Sequence, residues 1–216
     1  MPPRRFPDCD LYAITASRFS LGRPNPEVVR QMLAAGIKII QYREKDFSLR
    51  QKYQECLAIR AMTARYQACF IVNDDIHLAL AVAADGVHVV QDDLPVDKVR
   101  ELVGERMLVG LSTHSPAQAE EAVKSGVVDY IGVGPLYQTF TKKDVQPPVG
   151  LGYLDYVVSH CRMPFVAIGG IKESNLAEVV KHGATCVCLV TEIVGAPDIG
   201  ARISALREQL RRQPAG

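Results

Sequence analysis

The chain has 216 residues, of which 48% are hydrophobic and 23% are charged, and its formal net charge at pH 7 is +1. This composition excludes a disordered chain, and the length suits one α/β domain with a large apolar core. The net charge near zero argues against nucleic acid or an acidic membrane surface as the partner.

The six cysteines form no CxxC pair and lack the histidine spacing of a structural zinc site. We therefore expect reduced cysteines. Cys186 and Cys188 share one face of a strand, which permits metal binding, but we expect them to be buried thiols. The first residues carry no apolar run of signal-peptide length, and no run reaches the length of a membrane span. We expect a cytoplasmic protein that acts on small molecules, without a nucleic-acid or membrane partner, and a homo-oligomer stays open.

Short β-rich runs alternate with helical patterns along the chain. We predict strands over 11–15, 38–42, 69–72, 86–89, 107–111, 130–133, 165–168 and 186–190, and helices near 26–35, 49–66, 76–83, 95–103, 116–125, 151–159, 175–182 and 198–210. Ser48 and Ser115 are placed as helix N-caps, and Gly36, Gly126 and Gly183 follow helix ends.

Eight βα units without a GxGxxG turn favour a closed barrel over an open doubly wound sheet. We expect an α/β protein with a single TIM (β/α)8 barrel spanning residues 1–216 and short flexible ends at about 1–8 and 211–216. Function in such a barrel belongs where the strands end and the following loops begin.

The second predicted strand ends in polar and cationic side chains. A two-residue period places Gln41, Arg43 and Lys45 on one face and Tyr42 and Glu44 on the other. Interior cations without a partner are costly, so this face predicts a bound anion. The alternative is that Arg43 and Lys45 extend into solvent.

Carboxylates follow the next two strands. Asp74 and Asp75 come after the third strand, and Asp92 and Asp93 come after the fourth. Neighbouring carboxylates of this kind can hold Mg²⁺, whose other ligands are waters and phosphate oxygens. Because Asp75 can be a helix N-cap and Asp92 a solvated neighbour, we expect Asp74 and Asp93 to bind the metal.

The fifth strand ends with Ser112 and His114 facing inward by the same two-residue period. The hydroxyl can bond a ring nitrogen or an amine, and the imidazole can act as an acid, a base or a packing wall. No nucleophile elbow accompanies this pair, which disfavours a serine hydrolase.

The last three strand ends predict phosphate-binding groups. Thr139, Thr141, Lys142 and Lys143 lie in a long loop that can act as a lid, although a plain solvated loop is the alternative. Bare glycine amides at Gly169 and Gly170, followed by Val190 and Thr191, suit a separate monophosphate. A diphosphate and a monophosphate in one pocket indicate a reaction with two substrates.

From Leu11 to about Leu206, the chain resembles the thiamin phosphate synthase family in its motifs and in their order. The motifs are QYREK at 41–45, VNDD at 72–75, ADGVH at 84–88, QDDL at 91–94, GLSTH at 110–114, TFTKK at 139–143 and AIGG at 167–170. The resemblance implies that hydroxymethylpyrimidine diphosphate and hydroxyethylthiazole phosphate give thiamin phosphate and pyrophosphate. In that family the C–O bond breaks first, and the thiazole nitrogen captures the pyrimidine carbocation.

The resemblance also implies a role for each site residue. The diphosphate is assigned to Arg43, Lys45, Asn73 and Lys142, Mg²⁺ to Asp74 and Asp93, and the aminopyrimidine to Gln41, His88 and Ser112. The thiazole phosphate is assigned to Thr139, Thr141, Gly169, Gly170, Val190 and Thr191. Among these we expect Arg43, Ser112 and Lys142 to be catalytic.

Two positions depart from the family pattern, and two other functions stay open. Gln138 stands where the family usually has proline, and Glu192 stands where small residues are common. A thiazole tautomerase of the same superfamily would use His114 as its acid–base group but would not need the diphosphate and metal residues. A non-catalytic regulator that binds thiamin precursors would use the same pocket without turnover.

Overall fold

The computed structural model of the chain describes residues 5–141 and 147–212. Its strands form one parallel sheet in chain order, with each strand beside the next one in sequence. The strands are β1 (Ala13–Ile14), β2 (Ile39–Tyr42), β3 (Cys69–Asn73), β4 (Gly86–Val89), β5 (Leu108–Thr113), β6 (Tyr130–Val133), β7 (Phe165–Ile168) and β8 (Val187–Cys188). The Tyr12 N–H donates to the Val187 carbonyl at 3.0 Å, which joins the last strand to the first and closes the barrel.

Helices surround this barrel. Within the described ranges they are α1 (Asn25–Ala34), α2 (Leu49–Tyr66), α3 (Ile76–Ala81), α4 (Val96–Val103), α5 (Pro116–Ser125), α6 (Gly150–His160), α7 (Glu173–Lys181), α8 (Val190–Val194) and α9 (Ile199–Arg212). A 3₁₀ turn at Ser17–Phe19 follows β1. The predicted single TIM barrel is therefore confirmed.

Several predicted helix ends are also confirmed. The Ser48 hydroxyl accepts the Gln51 N–H at 3.3 Å, and the Gln51 side chain returns a bond to the Ser48 backbone, which completes a capping box. The Ser115 hydroxyl accepts the Gln118 N–H at 3.3 Å at the start of α5. Gly126 ends that helix with a φ of 65°, in the left-handed region that favours glycine.

The prediction for the end of the eighth strand is wrong. We predicted a strand over 186–190, but β8 ends at Cys188 and the short helix α8 begins at Val190. The apolar run continues from the buried strand β8 into Val190, the half-buried first residue of α8, and hydrophobicity alone does not separate the two elements. Val190 and Thr191 are therefore helical residues rather than the predicted turn.

Two apolar layers hold the barrel together. The inner layer fills the barrel and includes Ile39, Ile71 and Leu108, whereas a larger outer layer packs between the strands and the helices. Phe6 contacts Tyr130 with ring centroids 4.6 Å apart, so the segment before β1 covers one end of the interior.

The predicted burial of Cys186 and Cys188 is confirmed. None of the six cysteines forms a disulfide; Cys56 is also buried, and Cys9, Cys69 and Cys161 are half-buried. Within the described part of the chain, no helix combines the length and apolar character that a membrane crossing needs.

Candidate active site

The end of β2 directs side chains alternately into and out of the barrel. Gln41 is buried in the interior, and its Nε2 donates to the Tyr12 hydroxyl at 3.0 Å. The neighbouring Tyr42 points outward and donates to Glu55 at 2.8 Å. Glu44 also faces outward, where it accepts the Ser17 N–H at 2.9 Å. The two-residue period therefore predicted these orientations correctly.

Arg43 and Lys45 continue this strand end into the mouth of the barrel. Arg43 is half-buried, and burial lowers the pKa of its guanidinium although Asp74 and Glu44 oppose that shift. Lys45 forms an ion pair with Asp74 at the end of β3. A partly desolvated guanidinium beside an ion pair is a favourable environment for an additional anion.

Asp74 has an unusual backbone and side-chain environment. Its φ is 62°, in the left-handed region that few residues other than glycine adopt. Its N–H donates to the His88 carbonyl at 2.9 Å, which joins the ends of β3 and β4. One carboxylate oxygen accepts from Lys45, and the other, Oδ1, is buried and has no hydrogen-bond partner among residues 5–141 and 147–212. This arrangement makes Oδ1 a candidate ligand atom.

Asp93 lies close enough to Asp74 for the two carboxylates to affect each other. Its Oδ2 accepts the Val90 N–H at 2.8 Å. Burial, together with the charge of Asp74, raises the pKa of Asp93. A divalent cation between the two carboxylates would offset both the burial and the repulsion, so these residues fit Mg²⁺.

The other acidic residues of these loops have different surroundings. Asp75 begins α3 without a side-chain cap, and its carboxylate pairs with Lys52 at 2.7 Å. Asp92 is exposed to solvent. No group of three or more His, Cys, Asp or Glu side chains in residues 5–141 and 147–212 could hold a metal. A magnesium ion here would therefore take its remaining ligands from water and phosphate.

Asn73 and His88 lie side by side in the register between β3 and β4. Asn73 is half-buried at the strand end, whereas His88 is buried inside the barrel. The His88 Nε2 lies 2.9 Å from the hydroxyl of the buried Ser112. The structure therefore places Gln41, His88 and Ser112 in the buried interior of the barrel, with His88 and Ser112 in contact.

Two tyrosines in this region were not predicted. The Tyr130 hydroxyl lies 3.1 Å from the Nδ1 of His88 and 2.8 Å from the Tyr12 hydroxyl. Both tyrosines occur in apolar strands, where a sequence interpretation assigns them to the core. The available signal was the two-residue period, which places Tyr12 on the same face of its strand as the interior residue Ile14.

His114 and Thr113 diverge at the end of β5. The His114 ring contacts the Gly134 carbonyl through Nδ1, and its backbone N–H donates to Gln118 at 2.7 Å. Thr113 faces the opposite way, where its hydroxyl accepts from Tyr153 at 2.6 Å. The contact between His114 and Gly134 gives the imidazole a structural role at the start of the long loop.

The loop after β6 packs against the glycines after β7. The Tyr137 N–H donates to the Gly169 carbonyl at 2.9 Å. Gly169 and Gly170 have φ values of 98° and 66°, and a Cβ at Gly170 would lie 2.5 Å from the Gln138 carbonyl. These positions need glycine because the two loops touch, in addition to any role toward a phosphate. The Gln138 side chain itself is exposed.

Thr139 and Thr141 are half-buried in the same loop, with their hydroxyls 3.2 Å apart. Lys142 and Lys143 lie outside the described residues. The assignment of Lys142 to the diphosphate therefore stays a prediction.

The first turn of α8 carries Val190, Thr191 and Glu192. The Thr191 hydroxyl accepts from Lys172 at 3.3 Å. Glu192 pairs with Arg202 on α9, and its other oxygen lies 3.3 Å from the Lys172 amine. The cations of Arg202 and Lys172 therefore offset the negative charge of Glu192 at the start of α8.

Comparisons with known proteins show which family this chain resembles in sequence and in fold. Residues 11–193 match a family model described as thiamine monophosphate synthase. A thiamine-phosphate synthase of Pelotomaculum thermopropionicum is 63% identical over 95% of this chain and 94% of its own length. One from Lawsonia intracellularis is 57% identical over 94% and 93% of the two chains. A solved thiamine phosphate pyrophosphorylase from Pyrococcus furiosus superimposes with a TM-score of 0.85 at 34% identity, covering 95% and 96% of the two chains.

Proposed function

The chain belongs to the thiamine monophosphate synthase family of transferases, and we propose that it joins hydroxymethylpyrimidine diphosphate to hydroxyethylthiazole phosphate. The C–O bond to the diphosphate breaks, a bond forms between the same carbon and the thiazole nitrogen, and pyrophosphate leaves. The observation that best supports this reaction is the cluster of Arg43, Lys45, Asp74 and Asp93 at neighbouring strand ends. A site for a metal-bound diphosphate needs cations for the phosphate oxygens and carboxylates for the metal.

The diphosphate is assigned to Arg43, Lys45, Asn73 and Lys142. Asp74 and Asp93 would hold Mg²⁺, which supplies a positive charge that stabilises the departing pyrophosphate. The buried Oδ1 of Asp74 supports this assignment, since no hydrogen-bond partner for it lies within the part of the chain that the structure describes. Arg43 and Lys142 act as catalytic residues because they stabilise the charge that develops as the C–O bond breaks.

The two rings are assigned to different parts of the barrel. Gln41, His88 and Ser112 lie in the interior and are assigned to the aminopyrimidine, with Ser112 as the residue that orients it for reaction. Thr139 and Thr141 are assigned to the thiazole phosphate. Its phosphoryl group is placed at the remaining corner, formed by Gly169, Gly170, Val190 and Thr191.

We propose a dissociative order of bond changes in which the C–O bond breaks before the thiazole nitrogen attacks. An electron-rich aminopyrimidine can stabilise the resulting cation, so no side-chain nucleophile is needed. The residues then serve to position the two substrates and exclude water. An electron-withdrawing substituent on the pyrimidine should slow the reaction steeply, whereas weak sensitivity would indicate that the nitrogen attacks while the C–O bond is still present.

The proposal extends to the organisation and location of the protein. We propose that residues 1–216 form one domain and that the enzyme works in the cytoplasm on small molecules. The lack of a disulfide among the six cysteines supports a reducing compartment. The enzyme can act as a monomer or as a homo-oligomer.

Parallel assays test the proposed reaction. Purified protein is supplied with both substrates and Mg²⁺ in one assay, and with a thiazole carboxylate phosphate alone in the other. Formation of thiamin phosphate in the first assay supports the synthase. Isomerisation in the second assay alone would favour a tautomerase that uses His114, and binding of either substrate without turnover would favour a regulator.

A further inference from the structure

Five polar side chains form a continuous hydrogen-bonded chain across the barrel interior. The order is Gln41, Tyr12, Tyr130, His88 and Ser112, with successive separations of 3.0, 2.8, 3.1 and 2.9 Å. None of the five residues is more than 9% exposed. Gln41, His88 and Ser112 are the residues assigned to the aminopyrimidine, whereas Tyr12 and Tyr130, which connect Gln41 to His88, have no assigned role.

The barrel is built to accommodate this chain. Gly110 faces the rings of Tyr130 and His88, and a Cβ at Gly110 would lie 2.5 Å from the Nδ1 of His88. Phe6 covers Tyr130 from the other side. Burying a hydroxyl without a hydrogen-bond partner is unfavourable, so the five groups are favourable here only when they bond to one another in a consistent direction.

The amide at one end sets that direction. Gln41 donates its N–H to the Tyr12 oxygen, so the Tyr12 proton is directed to the Tyr130 oxygen. The Tyr130 proton is then directed to the Nδ1 of His88. Burial raises the pKa values of both tyrosines well above their ordinary range, so both hydroxyls stay protonated. In the reverse direction, the Tyr12 proton would meet the amide protons of Gln41.

We propose that Tyr12 and Tyr130 are positioning residues that hold the His88 proton on Nε2 and thereby fix Ser112 as a hydrogen-bond donor to the substrate. With Nδ1 accepting from Tyr130, the Nε2–H of His88 donates to the Ser112 oxygen. The Ser112 proton is then free to turn toward the site. Gln41 donates one N–H to Tyr12, and its carbonyl oxygen can accept a hydrogen bond from the substrate.

This donor and acceptor pair predicts substrate specificity. A 4-aminopyrimidine edge carries a ring nitrogen that accepts and an exocyclic amine that donates, which matches Ser112 and Gln41. A 4-oxo analogue carries a ring N–H and a carbonyl, so both contacts would be mismatched. We expect the analogue to be disfavoured by at least about 100-fold in kcat/KM, because a site that loses matched hydrogen bonds discriminates strongly. This step rests on the proposed function, whereas the position of the His88 proton does not.

The test uses Tyr130→Phe in the full-length chain, which removes one hydroxyl and keeps the ring. The matched control is Tyr153→Phe, since Tyr153 is also buried and its hydroxyl donates to Thr113 on the other side of the strand. Nitrogen-15 NMR reports which His88 nitrogen carries the proton, and a His88→Asn spectrum assigns the signal. Tyr12→Phe provides a second variant if Tyr130→Phe does not fold.

We expect the wild-type protein to show His88 protonated at Nε2 and unprotonated at Nδ1. Tyr130→Phe should shift this tautomer preference and lower kcat/KM for the pyrimidine diphosphate about 10- to 100-fold, with little change in the KM of the thiazole phosphate. Tyr153→Phe should change neither. A wild-type His88 protonated at Nδ1, or a Tyr130→Phe variant that behaves like the control, would overturn the proposal. A protein without synthase activity would refute the proposed function, while the NMR result would still decide the tautomer.

Discussion

Lys45 pairs with one carboxylate oxygen of Asp74 at the mouth of the barrel, while the other oxygen of Asp74 is buried and has no hydrogen-bond partner among the described residues. The ion pair joins the ends of β2 and β3, and Asp93 approaches from the end of β4. Burying a carboxylate oxygen without a partner is costly, so a ligand at this position stabilises the site. The metal and diphosphate assignments both depend on this relationship.

Asp74→Asn and Asp93→Asn should each lower the synthase rate by roughly two to three orders of magnitude, because each change removes a negatively charged ligand from the proposed Mg²⁺ site. The measurement is the steady-state rate over a range of Mg²⁺ concentrations. Asp92→Asn is the matched control, because Asp92 is an exposed carboxylate next to Asp93. If both variants keep full activity in excess chelator, the metal has no part in the mechanism.

Binding of Mg²⁺ to the substrate-free protein should release a proton in mildly acidic solution. Burial and the charge of Asp74 raise the pKa of Asp93, so the folded protein holds this proton at a pH where the unfolded chain has lost it. The protonated form therefore favours folding below the raised pKa, and that contribution is lost as the pH rises through it. Because Mg²⁺ needs the ionised carboxylate, its affinity should increase with pH over the same range.

Calorimetry in buffers with different ionisation enthalpies measures the proton release. Asp93→Asn should abolish the release, and Asp92→Asn should keep it. Metal binding without proton release by the wild-type protein would contradict the assignment of Asp93.

Lys142→Ala should lower the synthase rate by orders of magnitude and leave the fold intact, because it removes a cation assigned to the leaving diphosphate. Lys143→Ala is the natural control, as it removes the same charge at the next residue of the loop. Rate measurements should be accompanied by circular dichroism to show that both variants are folded. Equal rates for the two variants would argue that these lysines act only as solvated charges.

Gly170→Ala should destabilise the protein by roughly 1–3 kcal/mol, because a Cβ at this left-handed position would meet the backbone of the long loop. The displaced loop should also raise the KM for the thiazole phosphate. Gly152→Ala in helix α6 is the control, since a Cβ at Gly152 meets nothing within 4 Å and alanine favours helix. Denaturant unfolding measures both effects, and similar stability of the two variants would show that the loop contact contributes little.

The sequence predicted how several side chains at the strand ends are oriented. The two-residue period correctly oriented Gln41, Tyr42 and Glu44, because a strand must alternate its side chains. The start of α8 was missed, because its first residue, Val190, continues the apolar run of β8. The tyrosine pair was missed for a different reason: Tyr12 and Tyr130 are 118 positions apart, and only barrel closure brings their hydroxyls together.

Charge balance also depends on contacts that the sequence does not reveal. Glu192 departs from the family pattern and could be expected to repel a phosphate. In the fold it pairs with Arg202 from the following helix and lies near Lys172. The effect of a charge on a site is set by its partners, and those partners come from separate elements.

The most direct test of the proposed function is the stoichiometry of one reaction of the full-length protein with both substrates. Thiamin phosphate and pyrophosphate are measured together, with Mg²⁺ present or removed by a chelator. We predict equal amounts of the two products, formed only when both substrates and Mg²⁺ are supplied. If a protein shown to be folded forms no thiamin phosphate when both substrates and Mg²⁺ are present, the proposed function is contradicted.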